Sequence, residues 1–571
     1  MRKNNITKFV SLIVATLIIT SCGGVKKMVD KKDQVKFSVT PDPLEMHAGE
    51  VAIDLSVTFP EKYFHKKATL EATPVLKYES GETAYEVTVL QGESVEGNNK
   101  VIPFDGGSYT YSGKVPYNDG MMMSDLEMRF SAKVKDKSVP FPAIKIADGV
   151  VATAGLVKNT PQPILFKDNF QRTIEKSIEA DILYVINKYD VRSSELKDDD
   201  VKALVESLKE VENNERKELT GMEISAYASP DGALDLNEKL SENRQGSAKK
   251  YADGQLKKAK IEATAEDFFK LMSTAEDWDG FKKLVEESNL EDKELILRVL
   301  SMYQDPEVRE REIKNMAKTF EVLADDILPL LRRSVMKAKV QVTGYSDEEL
   351  VALATSAPDT LEIEEMLYAA TLLDNVDAKL AVYQAASAKY PECFRAKNNE
   401  GCMLLEKGDQ AGAKAAFEAA KALKEDDIIT NNLGVIAMLE GDMETAEELF
   451  TAAIGAGPTV SANLGIINIK KGDYETAVNN FGSMCDFNAG LAKLLNGDFE
   501  ASTKTLDCVE NPDAWVDYLK AVNGARTERE EVVMNNLRTA VGKDAALKEY
   551  AKKDIEFRGY FDNETFKSIV Q

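Results

Sequence analysis

Residues 434–450 read GVIAMLEGDMETAEELF, and three other stretches share that skeleton: GCMLLEKGDQAGAKAAF at 401–417, GIINIKKGDYETAVNNF at 465–481 and GLAKLLNGDFEASTKTL at 490–506. Each carries a Gly-Asp pair: Gly408-Asp409, Gly441-Asp442, Gly472-Asp473 and Gly497-Asp498. Seven residues before each pair stands another glycine: Gly401, Gly434, Gly465 and Gly490. Five residues after the pair's glycine comes a small residue (Ala413, Ala446, Ala477, Ser502), and nine after it a large apolar one (Phe417, Phe450, Phe481, Leu506). Asp374 with Tyr383 and Ala386 extends the ladder upstream. Periodicity on this scale outranks any local reading. Small residues let paired helices approach, the aromatic fills the space between pairs, and the inter-helix glycine permits a tight turn. The expectation is an all-α superhelix over 360–510, closed by a helical cap over 511–571.

The spacings of 34, 33, 31 and 25 residues, with Pro391 and Pro458 at unit ends, resemble tetratricopeptide repeats (TPR). That resemblance implies a non-enzymatic docking array in which the first helix of each unit lines a concave groove. It also implies that an asparagine at the sixth position holds an extended peptide. Here that position carries Asn399, Asn432, Asn463 and Asn488. An amide both donates and accepts, so a row of them suits sequence-tolerant grip on a peptide backbone. Bracing of neighbouring helices is the other use such asparagines have. The basic residues of a carboxylate clamp are not evident beside them.

Working outward, residues 34–165 alternate with period two, as in Val51, Ile53, Leu55, Val57 and Phe59, and again in Leu126, Met128, Phe130, Ala132 and Val134. Turn clusters such as Gly97-Asn98-Asn99 and Asn118-Asp119-Gly120 divide the strands. This pattern predicts an antiparallel β-sandwich, immunoglobulin-like in kind. Tyr109, Tyr111 and Tyr117 form an aromatic run that reads either as a carbohydrate platform or, more simply, as sheet surface and core rim.

Residues 171–345 are mixed α and β. Ile182–Ile186 and Met222–Ala228 read as strands, a helix lies between them, and a closing strand over Ser334–Val342 follows a stretch of helical character at about 265–325. After the second strand come Ser229-Pro230-Asp231-Gly232 and then Asn237-Glu238-Lys239-Leu240-Ser241-Glu242-Asn243-Arg244. The N-x-x-L-S-x-x-R pattern resembles the OmpA-like domain, a β-α-β-α-β fold that grips peptidoglycan. The resemblance implies that Asn237 and Arg244 belong to the peptidoglycan site, with the arginine fork on a stem-peptide carboxylate. An aspartate normally meets the ammonium fifteen residues before that arginine, and this chain has Ser229 there, with Asp231 two residues on. A serine supplies no charge, and losing a charge-assisted hydrogen bond costs about 1.5–3 kcal/mol.

At the N-terminus Arg2, Lys3 and Lys8 precede the apolar run Phe9–Ser21. That run is shorter than the roughly 20 residues a spanning helix needs, so residues 1–21 read as a signal peptide. Ile19-Thr20-Ser21-Cys22 resembles a bacterial lipobox, which implies acylation of Cys22 and removal of what precedes it. Several acyl chains on one residue anchor stably. Gly23 after the cysteine is consistent with outer-membrane sorting, and the basic tether over 22–33 favours the periplasmic face.

The whole chain of 571 residues carries 97 Asp plus Glu against 72 Lys plus Arg, a net charge of −25, and two histidines, His47 and His65. Without a basic stripe such a surface disfavours nucleic acid. Histidine poverty argues against zinc sites and histidine-based catalysis. No cofactor or metal is expected. Cys393, Cys402, Cys485 and Cys508 all fall in the repeats; Cys485 and Cys508 close equivalent helices and can approach each other, or all four are small buried residues.

The sequence therefore reads as a multidomain α+β chain: an N-terminal sandwich, an OmpA-like domain with a helical insertion, and a TPR superhelix. The expected function is a non-catalytic, lipid-anchored envelope scaffold. Its middle domain contacts peptidoglycan and its array docks a protein partner. The alternative is an accessory subunit of an outer-membrane assembly or secretion machine that has lost the wall.

Overall fold

The computed structural model describes residues 23–263 and 265–571. The signal peptide and the lipidation position Cys22 lie outside the described residues. No helix among the described residues is long and apolar enough to cross a membrane. The chain forms two compact units: residues up to Phe166 together with Tyr390–Gln571, and Lys167–Lys389.

In the first unit, twelve strands build two sheets. They are β1 (Lys36–Thr40), β2 (Leu44–His47), β3 (Glu50–Phe59), β4 (Thr69–Tyr78), β5 (Gly81–Ala84), β6 (Thr88–Gly92), β7 (Lys100–Ile102), β8 (Gly107–Pro116), β9 (Ser124–Val134), β10 (Lys137–Pro140), β11 (Ile144–Asp148) and β12 (Val150–Val151). One sheet runs β1-β3-β2-β12 with β8 also on β3; the other runs β10-β9-β4-β6-β7, with β11 on β9 and β5 on β4. Period-two alternation sends Leu55, Val57 and Phe59 of β3 into one core with Leu70 and Ala72 of β4 and Phe130 and Ala132 of β9. The two sheets thus face each other across an apolar layer. Tyr109 is buried and stacks on Phe59, so it belongs to that core rather than to a surface platform.

Residues expected to be a tether are not slack. Gly23–Asp30 is a helix whose Val25 and Met28 are buried among the sandwich core residues, and Met28 Sδ accepts the His65 N–H at 3.4 Å.

The same unit holds the repeat helices from Phe394–Glu406 onward, in antiparallel pairs: Phe394–Glu406 with Gln410–Leu423, Asp427–Glu440 with Met443–Ala452, Pro458–Lys471 with Tyr474–Phe481, and Phe487–Leu495 with Phe499–Asp507. The quoted skeleton now has its geometry. Gly408, Gly441, Gly472 and Gly497 have φ of +83°, +89°, +77° and +83°, a conformation that L side chains resist. Each following aspartate caps the next helix, as Asp442 does by accepting the Thr445 N–H at 3.1 Å. A Cβ on Gly401, Gly434, Gly465 or Gly490 would stand 2.5–2.7 Å from Phe417, Phe450, Phe481 or Leu506. Each early glycine is thus the notch that its own unit's large residue fills. One core runs from Val435 to Val570, so the cap helices Ala514–Arg526 and Glu530–Lys543 continue the stack.

The sequence reading treats sandwich and array as separate bodies. In the fold they are one unit, and Val157 and Ile164 of the connecting segment pack on the array core.

The second unit has a four-stranded sheet, ordered β13 (Thr173–Leu183), β16 (Arg333–Thr343), β14 (Lys217–Tyr227), β15 (Phe269–Thr274). β16 lies antiparallel between β13 and β14, and β15 is parallel to β14. Helices Asp199–Asn213 and Leu234–Lys258 bury Val201, Leu204, Ala248 and Ala252 against Ile182, Ile224 and Met336. Two details correct the sequence reading. The first strand ends at Leu183, leaving Val185 and Ile186 exposed. The expected helical insertion at 265–325 opens with a strand, β15, whose residues are exposed or half-buried and so lack a clear alternation signal. Helices from Trp278 to Leu331 then form a separate small core around Phe281, Val285, Ile296 and Leu323. Helices Asp347–Ser356, Ile363–Thr371 and Val376–Lys389 complete this unit, with Tyr383 and Ala386 buried.

Candidate functional site: an asparagine ladder and its occupant

Asparagine is a poor helix former and an expensive residue to bury without partners. Asn399, Asn432, Asn463 and Asn488 are nonetheless 0–2% exposed, one on the first helix of each pair. Every one is satisfied by the same occupant, the extended segment Val157–Phe166 (VKNTPQPILF) of this chain. Their Oδ1 atoms accept backbone N–H groups: Asn488 from Lys158 at 2.8 Å, Asn463 from Gln162 at 2.8 Å, Asn432 from Ile164 at 2.7 Å and Asn399 from Phe166 at 2.8 Å. Their Nδ2 groups donate back to the carbonyls of those same four residues, at 2.8–2.9 Å. Each amide therefore closes a two-bond ring on one residue's backbone, which fixes position and reads no side chain.

The gripped residues are 158, 162, 164 and 166, all even, while Pro161 and Pro163 fall on odd positions where no N–H is asked for. Proline also biases its predecessor toward extended backbone. The segment runs antiparallel to the repeat order, meeting Asn488 first and Asn399 last. Side chains add grip. Leu156, Val157 and Ile164 pack on the array core, and the Phe166 ring meets Phe394 edge-on at 5.1 Å. Lys158 Nζ lies 4.3 Å from the centre of the Phe487 ring and 2.6 Å from Asp513.

Sequence reasoning missed a second file of amides. Asn398 and Asn431 are fully buried, donate to the carbonyls of Ile164 (3.0 Å) and Gln162 (3.3 Å), and accept from Asn432 (2.9 Å) and Asn463 (3.0 Å). They tie one rung to the next. Their signal was present as tandem Asn-Asn at the same repeat position, 398–399 and 431–432. Both uses open to the asparagines, peptide grip and bracing between helices, are thus realised at once. Cys402 is buried beside them and donates to the Ile164 carbonyl, whereas Cys485 and Cys508 are joined as a disulfide.

The fold also brings together Ser229, Asp231, Asn237 and Arg244 of the second unit, but their bonds turn inward. Asn237 Nδ2 donates to the Ser229 and Gly232 carbonyls, each at 3.1 Å. Arg244 is 1% exposed; it donates to the carbonyls of Tyr227 (2.8 Å) and Lys188 (3.1 Å) and lies over the Tyr184 ring. Burial pushes its pKa down to about 10, so it stays charged at neutral pH. Ser229 donates to Asp231, and Arg332 reaches both, at 3.1 Å to Ser229 Oγ and 3.2 Å to Asp231 Oδ2. Arg332 is the residue sequence reasoning left out of this cluster. Over Pro230 and Asp231 the helical insertion lays Trp278, Phe281 and Phe320, leaving a cavity of about 10 Å³.

Residues 374–428 and 411–461 match the tetratricopeptide repeat family model. No curated protein matches the chain. Among solved structures it is similar to the APC/C hetero-tetramer Cut9–Hcn1, at 16% identity and TM-score 0.31 over 59% of this chain and 73% of that one. It is similar also to a tetratricopeptide repeat protein from Parabacteroides merdae, at 13% identity and TM-score 0.28 over 37% and 91%. A third is YrrB, described as a TPR protein with an unusual peptide-binding site, at 19% identity and TM-score 0.22 over 36% and 100%. Scores of this size carry no functional argument; the family match and the repeat geometry identify the helical region as a TPR array, a protein-interaction scaffold.

Proposed function

We propose that this chain is a non-catalytic scaffold of a Gram-negative envelope, an outer-membrane lipoprotein anchored through Cys22 at the periplasmic face. The observation that carries the scaffold reading is the ladder: four amides making eight backbone hydrogen bonds to one extended segment. At about 1 kcal/mol net apiece these offset much of the entropy of ordering that segment. The ladder does within one chain what a docking array does between chains. With those rungs filled, an external protein partner takes the remaining surface of the array. The Cys485–Cys508 disulfide suits an oxidising compartment such as the periplasm.

Between wall tether and machine accessory, the inward-turned cluster favours the accessory. A peptidoglycan stem needs a free carboxylate and a free guanidinium. Here Asp231 is spent on Arg332, and Arg244 is buried on backbone carbonyls. Co-sedimentation with purified sacculi tests this: the protein is expected to stay in the supernatant. Pelleting that Asp231→Asn abolishes would restore the tether. In cells, Cys22→Ser is expected to remove incorporated labelled palmitate and to release the protein from the membrane fraction, and crosslinking identifies the partner.

A further inference from the structure

Within the first unit, a cavity of about 490 Å³ opens between the β8–β9 connection of the sandwich and the cap helices of the array. Its walls include Tyr117, Asp119, Met122, Lys158, Trp515 and Tyr550. Trp515 and Tyr550 meet at 84° with ring centres 5.2 Å apart, forming a right-angled corner, and Tyr117 lines the same space. Behind the corner, fully buried Tyr518 packs edge-on to both rings and donates to Asp554 at 2.7 Å. Asp119 lines this corner and Asp554 lies behind it. Burial and then the charges of Asp119 and Asp554 push the Tyr117 hydroxyl up to about 12; Tyr550 rises further, from burial, Asp554, Tyr117 and Asp119. Lys158 also lines the cavity, and its ammonium pairs with Asp513 and lies over the Phe487 face.

Perpendicular aromatic walls, a thioether and a carboxylate in the lining make up the chemistry that recognises an alkylammonium ion: π faces attract the cation and the carboxylate balances it. A sugar site needs instead one flat open ring surrounded by amide and hydroxyl partners. We propose that Tyr117, Trp515, Tyr550 and Asp119 form a binding site for an alkylammonium group, carried by a small quaternary amine or by a lysine side chain of a protein.

The test uses the full chain. Saturation-transfer NMR with choline on the unsubstituted protein reads contact directly. Trp278→Phe leaves Trp515 as the single tryptophan, so its fluorescence reports affinity against sodium chloride at matched ionic strength. Choline is expected to give saturable quenching, weakened about tenfold by Asp119→Asn at unchanged melting temperature and lost in Tyr117→Ala. Nα-acetyl-lysine amide competing as well as choline would assign the site to a lysine side chain; choline alone would assign it to a small amine. No transfer signal from either probe, a response equal to that of sodium chloride, unaltered affinity in Asp119→Asn, or saturation by glucose in place of choline would overturn the proposal. None of these outcomes depends on lipidation or on the wall.

Discussion

Asp554 is 4% exposed, accepts the Tyr518 hydroxyl at 2.7 Å and caps the next helical turn through the Glu556 N–H at 3.0 Å. Burial first, and then the neighbouring Glu556 carboxylate, raise its pKa to about 7. Its folded-state pKa lies above its unfolded value, so the folded state binds the extra proton between about pH 4 and 7. This group's contribution to stability is therefore full at the acid end of that window and is lost as pH rises to 7, with a slope of up to about 1.4 kcal/mol per pH unit. Asp554→Asn keeps an oxygen for the Glu556 N–H, turns the Tyr518 contact into an amide N–H donating to the hydroxyl oxygen, and carries no charge. Urea unfolding across pH 5–8 is expected to lose this descending component in the variant, which becomes the more stable protein at pH 8. An unchanged slope would remove the carboxyl from the account. At this same scale the sequence told most through its glycines. Gly434 is a notch that the Phe450 ring fills, and the fixed interval between them states the contact before any fold is known.

Among the elements, the linker strand holds the most information. Its even residues are gripped and its prolines are odd, so a proline substitution at one position and at its neighbour have unequal expected effects. Ile164→Pro removes the N–H that Asn432 accepts and leaves that buried amide oxygen with Asn431 Nδ2 (3.0 Å) as its remaining donor, at a cost of about 1–2 kcal/mol. Leu165→Pro falls on the tolerated parity, at a position 43% exposed and within backbone that is already extended, and is expected to change stability by about 0.5 kcal/mol or less. Equal losses for the two in thermal melts would refute the register. The sequence reading named the four rung amides, Asn399, Asn432, Asn463 and Asn488, and the helices that carry them, but not Asn398 and Asn431 beside them. It could not name the ligand, because grip on bare backbone leaves no complementary side-chain pattern in the gripped segment. For the same reason of missing pattern it passed over β15, an edge strand without alternation, and the helix Gly23–Asp30, which has only Val25 and Met28 to bury.

For the molecule as a whole, the ladder and contacts such as Thr153 on Glu556 and Arg558 on Asp148 (3.2 Å) make the sandwich and the array one unit, although 223 residues, Lys167–Lys389, separate Phe166 from Tyr390 in the chain. Hydrogen exchange in rising urea is expected to show the β3 segment (Glu50–Phe59) and the helix Asp427–Glu440 losing protection together. Independent losses would mean that the linker joins the two by connection alone. The net charge of −25 belongs to a solvated surface, and the chemistry of the described residues is that of holding: amides on a backbone, rings in a corner, a guanidinium on carbonyls.

What repeats locally is written in the residues themselves. Helix pairs follow from glycine notches, αL turns and capping aspartates at fixed intervals, and paired strands from period-two alternation, because both are short-range steric and solvation effects written into neighbouring residues. Only the tertiary structure decided what those elements hold. It placed the chain's own linker in the asparagine groove, buried Arg244 on backbone carbonyls in place of an outward clamp, and brought Tyr117 into a cavity with Trp515 and Tyr550. Those are contacts between segments tens to hundreds of residues apart, where the same amide, guanidinium or ring finds its partner through the path of the chain in space, which no local pattern encodes.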